Sequence, residues 1–212
     1  MSTLKTTSIT HGSNSGTANL ALTSAGNVTV GADLIATKQN GCERIILESL
    51  AFPCDGGTYA SSAGDITAPN VTATVDTTTS FTDVAGSVVT YTPPTGATTV
   101  IYEFNFSLGA ADSHGISHWI GFIGGTEIAY QKFSISANNL LEGIYHYKLV
   151  IPIGGSTSTD TGRQATWTSG KELKLQVRNY GASYDMHLYG NNYWQPAGNI
   201  FRQPNIQLTA IR

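Results

Sequence analysis

The sequence predicts an all-β protein, a C-terminal jelly-roll β-sandwich of about eight strands preceded by a β-rich N-terminal attachment segment. Three observations lead there. Runs of apolar/polar alternation recur along the chain, as in TTVIYEFNFSLG and KELKLQVRNYG. Loops containing Gly, Pro and Ser separate these runs at short intervals. Hydrophobic residues make up 40% of the 212 and charged residues only 12%, with Thr, Ser and Gly filling much of the rest, so hydroxyls and amides solvate the surface.

Residues 1–40 read as a thin β-hairpin. Leu20, Leu22, Val28 and Val30 alternate on either side of the turn SAGN (24–27). A two-stranded ribbon of so little apolar surface is marginal alone in water, so it needs symmetry mates or another surface to pack on. Residues 41–70 read as a connector or insertion. Within them GCERIILESLAFPC is too short for its period to decide between a helical turn, with Ile46 and Leu50 at i, i+4, and a strand, and DGGTYASSAGDITAPN is turn-rich.

The head is expected over 71–212. Val84, Val88, Val89 and Tyr91 precede Pro93–Pro94, and Val100, Tyr102, Phe104 and Phe106 then share the core side of a strand. SHWIGFIGGTEIAYQKFSIS turns at Gly124–Gly125, and GIYHYKLVIPIGG sets Tyr145, Tyr147, Leu149 and Ile151 against Ile144, His146, Lys148 and Val150. KELKLQVRNYG places Leu173, Leu175 and Val177 inward and Lys174, Gln176 and Arg178 outward; YDMHLYGNNYW follows, and IQLTAIR closes the chain with Ile206, Leu208 and Ala210 on one face.

A net charge of −3 and no basic run argue against nucleic acid as a partner. No apolar run is long enough to insert in a membrane, and MSTLKTTSIT lacks the apolar stretch of a secretory signal. Cys42 and Cys54 are no disulfide framework and are expected as free thiols. An enzyme is not expected. There is no G-x-S-x-G elbow, and the 14 acidic residues are scattered without an evident catalytic pair. His114 and His118, near Asp112, would converge on a metal if helical, but on a strand parity puts them on the same face roughly 13 Å apart at about 3.3 Å per residue, so no metal or other cofactor is expected. The sequons at Asn27, Asn70 and Asn105 match the glycosylation pattern, which would have no consequence if the protein is made in a bacterium.

The region NYGASYDMHLYGNNYWQPAGN (179–199) carries the residue types that bind sugars, flat rings for a pyranose face and amides for hydroxyls. Tyr189, Asn191, Asn192, Tyr193 and Trp194 are the candidates for a glycan or receptor, supported by Tyr180, Tyr184 and Asp185. The competing reading is that these aromatics fill the sandwich or an oligomer axis.

MSTLKTTSITH followed by ANLALTSAGNVTV resembles the opening of small virion structural proteins of tailed phages, particularly fibre-like proteins of marine and cyanobacterial phages. SFTDVAGSVVTYTPPTGATTVIYEFNFSLG, KLQVRNYG and QPNIQLTAIR are similar to the first, late and last strands of their jelly-roll heads, an architecture also similar to the trimeric heads of the tumour necrosis factor and complement type. The resemblance implies a homotrimer on a virion, assembled in the bacterial host cytoplasm. Leu20, Leu22, Val28 and Val30 would then attach it to other virion proteins, and the head would adhere to a host-surface glycan. Capsid decoration that stiffens the shell and a free carbohydrate-binding module are the alternatives.

Overall fold

The computed structural model describes residues 8–9, 20–22, 28–29, 45–110, 114–138, 142–190 and 200–212, which contain strands and no helix. The chain divides into two compact units, Met1–Glu43 and Arg44–Arg212. In the first, β1 (Ser8–Ile9), β2 (Leu20–Leu22) and β3 (Val28–Thr29) form an antiparallel sheet in that order. The hairpin expected across SAGN is the β2–β3 pair, with Leu22 opposite Val28 and Ala21 opposite Thr29; Val30 lies outside the described residues.

The second unit holds β4 (Ile46–Pro53), β5 (Thr58–Ser61), β6 (Gly64–Thr67), β7 (Val75–Asp76), β8 (Thr82–Asp83), β9 (Val89–Tyr91) and β10 (Thr99–Ala110). It continues through β11 (His114–Ile123), β12 (Thr126–Asn138), β13 (Glu142–Pro152), β14 (Lys171–Asn179), β15 (Met186–Leu188) and β16 (Asn205–Ile211). The first main sheet runs β4–β16–β10–β13, with β15 and β7 extending it past the end of β16; the second runs β12–β11–β14, with β8 and β9 along the far side of β14. Taking β8 and β9 as one interrupted strand, the first sheet uses the first, eighth, third and sixth long strands and the second uses the second, seventh, fourth and fifth. That is the strand order of a jelly roll.

The boundary expected at residue 71 does not hold. Ile46–Pro53 is the first strand of the jelly roll, paired with β16 from Asn205↔Pro53 to Ala210↔Glu48, so the stretch that was open between helix and strand is a strand inside the head. The turn-rich stretch after it contains the β5–β6 hairpin, which buries Ile66 and stacks Tyr59 on Phe52 at 4.9 Å between ring centroids. Residues 45–70 therefore belong to the sandwich. Their periodicity was too short to show it, because the pairing partner is the far end of the chain.

Alternation elsewhere sorts side chains as the sequence predicts. Val100, Tyr102, Phe104, Phe106 and Leu108 of β10, Leu173, Leu175 and Val177 of β14, and Ile206, Leu208 and Ala210 of β16 are all buried between the sheets. Phe106 bridges the layers, its ring 5.2 Å from that of Trp119 and 5.0 Å from that of Phe104. Polar tips in this aromatic core are hydrogen-bonded, since an unpaired buried donor is costly. The Trp119 indole donates to Ser117 Oγ at 2.8 Å, Tyr102 Oη to the Ser87 carbonyl at 2.6 Å, and the Trp167 indole to the Tyr91 carbonyl at 3.0 Å.

Two glycines set how closely β11 can sit to its neighbours. A Cβ at Gly115 would collide with Met186 Sδ and lie 3.0 Å from both Ala110 Cβ and the Asp185 carbonyl, and one at Gly121 would run into Tyr147 Oη. Cys54 is a buried free thiol donating to the Gly86 carbonyl at 3.2 Å, and burial, then the charge of Asp55, pushes it up to about 12. Cys42 lies outside the described residues.

Candidate functional site

Of the five residues expected to bind a receptor, only Tyr189 lies among the described residues, and it is not at the surface. Tyr189 is 0% exposed and has a φ of 66°. Its Oη donates to the Ala85 carbonyl, its N–H to the Ser107 carbonyl at 2.8 Å, and its own carbonyl accepts from the Arg202 N–H at 2.8 Å. Tyr189 is therefore a core residue and cannot stack on a sugar, which corrects its place among the candidates. Asn191, Asn192, Tyr193 and Trp194 lie outside the described residues.

Two supporting residues do lie at a surface. Tyr180 is 60% exposed, with Tyr184 packed edge-on against it at 5.3 Å. Asp185 instead accepts from Asn179 Nδ2 at 2.6 Å, inside a network that joins Thr77 to Asn179. Tyr180 stands at the end of β14, on the outer face of the second sheet.

That face is laid out by register. Arg178 is opposite His118, and His118 is opposite Ser134, so one row crosses β14, β11 and β12. Phe81, just before β8, packs at the open end of the row, with the Arg178 guanidinium carbon 5.0 Å from its ring centroid. The next row runs Asp83, Gln176, Ile120 and Lys132. The preceding one holds Tyr180, whose N–H donates to the Ile116 carbonyl at 2.8 Å. The outward parity of Lys174, Gln176 and Arg178 was legible in the sequence, as was the shared face of His114 and His118. What sequence could not give is that β11 and β14 are neighbours.

Together Phe81, His118, Ile120, Lys132, Ser134 and Arg178 line a shallow concavity of about 330 Å³. His118 Nδ1 lies 2.8 Å from Ser134 Oγ, and its ring meets the edge of Tyr180 at 5.7 Å. Phe81 is 38% exposed. The carboxylates nearby are already engaged. Glu127 pairs with Lys132 at 2.5 Å, and Asp83 accepts from Lys174 at 3.0 Å and Gln176 at 2.9 Å. Burial alone would raise the Asp83 carboxyl, but the hydrogen bonds from Gln176 and Lys174 and the charge of Lys174 hold it below the usual carboxylate range. Arg178 forms no ion pair among the described residues, and its Nε is buried without a hydrogen-bond acceptor.

The two histidines weighed as metal ligands and not expected to hold one are both on this face, His114 at its edge and His118 at its centre. No cluster of three His, Cys, Asp or Glu suited to a metal occurs among the described residues. The site can therefore stack flat apolar groups on Phe81 and Tyr180 and donate hydrogen bonds from Arg178, Lys132 and Ser134. Phe81 was missed at sequence level, because it precedes a strand of only two residues and shows no alternation.

No family model matches the chain, and no curated protein does. Among solved structures, a chain of the infectious bursal disease virus Gt strain is similar at a TM-score of 0.36 and 11% identity, over 77% of this chain and 36% of that one. The VP2 subviral particle of the same virus is similar at 0.33 and 9%, over 87% and 40%. An exo-β-1,3-galactanase from Phanerochaete chrysosporium, solved with galactose, is similar at 0.24 and 9%, over 80% and 32%. The chain spans well under half the length of each, and likeness at these TM-scores carries no argument about function.

Proposed function

We propose that the chain is a non-enzymatic virion structural protein, a homotrimeric jelly-roll head exposed on the particle that adheres to the host surface. The observation that carries this reading is the division of labour available to its two outer sheet faces. On the first sheet Ile144 is 70% exposed and Val150 48%, on β13, whose far edge has no strand paired to it among the described residues. Long unpaired edges with aliphatic exposure are where β-proteins associate, so this face supports packing of copies against one another. The aromatic concavity around His118 and Arg178 then faces outward as the adhesive surface. Three weak sites on one head gain avidity by being linked. The N-terminal sheet would serve as the attachment, with Leu20, Leu22, Val28 and Val30 supplying the apolar side chains.

Particles lacking the protein, compared with wild-type particles labelled on it with gold-tagged antibody, test the reading. Label on the particle with lost adsorption to host cells is the expected result. Label with normal adsorption but lowered heat or osmotic resistance would replace adhesion with capsid decoration. Absence of label, with glycan binding by the purified chain, would point instead to a free carbohydrate-binding module.

A further inference from the structure

We infer that the concavity on the second sheet binds a carboxylated saccharide, with Arg178 taking the carboxylate and Phe81 and Tyr180 flanking the sugar ring. The inference rests on the adhesive reading above and names its ligand class. It starts from a charge without an ion-pair partner among the described residues. Arg178 sits between Phe81 and His118 in the register, and the acidic groups that could face it, Asp83 and Glu127, are held by Lys174, Gln176 and Lys132. A guanidinium held over an aromatic ring, its carbon 5.0 Å from the ring centroid, and already desolvated at Nε keeps its terminal nitrogens as a planar fork, the geometry that receives a carboxylate through two parallel hydrogen bonds.

The surroundings select a sugar acid over other anions. Phosphate-rich polymers need several cations in line, and here Arg178, the one cation of the site without an ion pair among the described residues, is followed by Ile120 and Gln176. An acidic peptide would gain nothing from the exposed rings at either end of the site, whereas a pyranose offers a flat C–H face to them. Ser134 Oγ and Lys132 Nζ, on β12, add polar contacts for ring hydroxyls, and Ile120 provides an apolar floor. The volume of about 330 Å³ suits one or two sugar units.

Ligand-observed NMR titration of the full-length chain tests this with sialyllactose, a tri-galacturonate, their carboxyl-reduced counterparts, lactose and a tetraglutamate peptide. At least one carboxylated sugar should bind, its reduced counterpart roughly tenfold or more weakly, and affinity should fall with added salt. Arg178→Gln should bring the acid down to the level of the reduced sugar, Arg178→Lys should recover part of the difference, and Tyr180→Ala should weaken acid and reduced forms alike. A melting temperature within a few degrees of wild type shows that a variant is folded; if Arg178→Gln does not fold, the acid-to-reduced ratio on the wild-type chain decides alone. Equal binding of acid and reduced forms overturns the inference while leaving adhesion standing. Binding of the glutamate peptide without any sugar overturns it in favour of an acidic protein partner, and absence of binding to every sugar overturns it together with the adhesive reading.

Discussion

On the outer face of the first sheet, β13 and β10 present Ile144, His146, Lys148 and Val150 beside Ile101, Glu103 and Asn105; on the outer face of the second, β11 and β14 present Ile116, His118 and Ile120 beside Gln176, Arg178 and Tyr180. Both faces come from the same two-residue alternation. Their difference lies in what the register sets side by side. Glu103 stands opposite Lys148 and lies 3.2 Å from its Nζ and 3.2 Å from His146 Nε2, so the charges of the first face meet one another and leave aliphatic groups uncovered. Arg178 stands opposite a histidine and beside a phenylalanine, so the second face keeps a cation and rings for something else. What a sheet face leaves unpaired is thus set by cross-strand neighbours more than by its composition.

The largest expected effect removes both faces at once. Phe106→Ala deletes the ring that joins Phe104 to Trp119 across the sandwich and should cost about 3–5 kcal/mol in chemical denaturation. A loss under about 1 kcal/mol would mean the sheets do not share one core.

Breaking one face alone sharpens the comparison. Ile144→Asp puts a carboxylate on the aliphatic face and should weaken association of copies roughly a hundredfold in sedimentation, with saccharide binding per chain unchanged. Unaltered association would move the subunit contacts elsewhere. Gly115→Ala acts from the inner side of β11, where its methyl would press on Met186 and Ala110, and should lower stability by about 1–3 kcal/mol. Thermal melts check it, and a neutral result would mean that β11 has room the structure does not show.

The smallest effect concerns the rim of the second face. Asp83 is largely solvated, so Asp83→Asn should cost less than about 1 kcal/mol at neutral pH. Its folded carboxyl is held below the ordinary range, so the wild type's advantage is present above the unfolded carboxylate pKa and is lost as pH falls through the lower folded one. Denaturation at pH 7 and in strong acid should show the two chains differing and then converging; a difference that persists in acid would make Asp83's role one of packing.

Sequence carried most of the sandwich, and the reason is visible in β10, β14 and β16, where every side chain that alternation placed inward is buried. It failed at Ile46–Pro53, whose signal is a short apolar run and whose partner, β16, is at the other end of the chain. It failed again at Tyr189, where a tyrosine among asparagines looks like a sugar platform. A left-handed backbone and a hydrogen bond to Ala85 instead turn the ring into the core. The candidate site was legible in halves, as outward Lys174, Gln176 and Arg178 and as same-face His114 and His118. Joining them needed the β11–β14 register, a long-range pairing that no local pattern encodes.

The central claim is that the first face joins copies and the second is left free to bind, and the mass of the full-length chain in solution tests it most directly. Light scattering at micromolar concentration should give three times the 22.4 kDa of one chain. A stable particle of 22.4 kDa would contradict the account, because the exposed Ile144 and Val150 would then be covered by nothing of the protein's own.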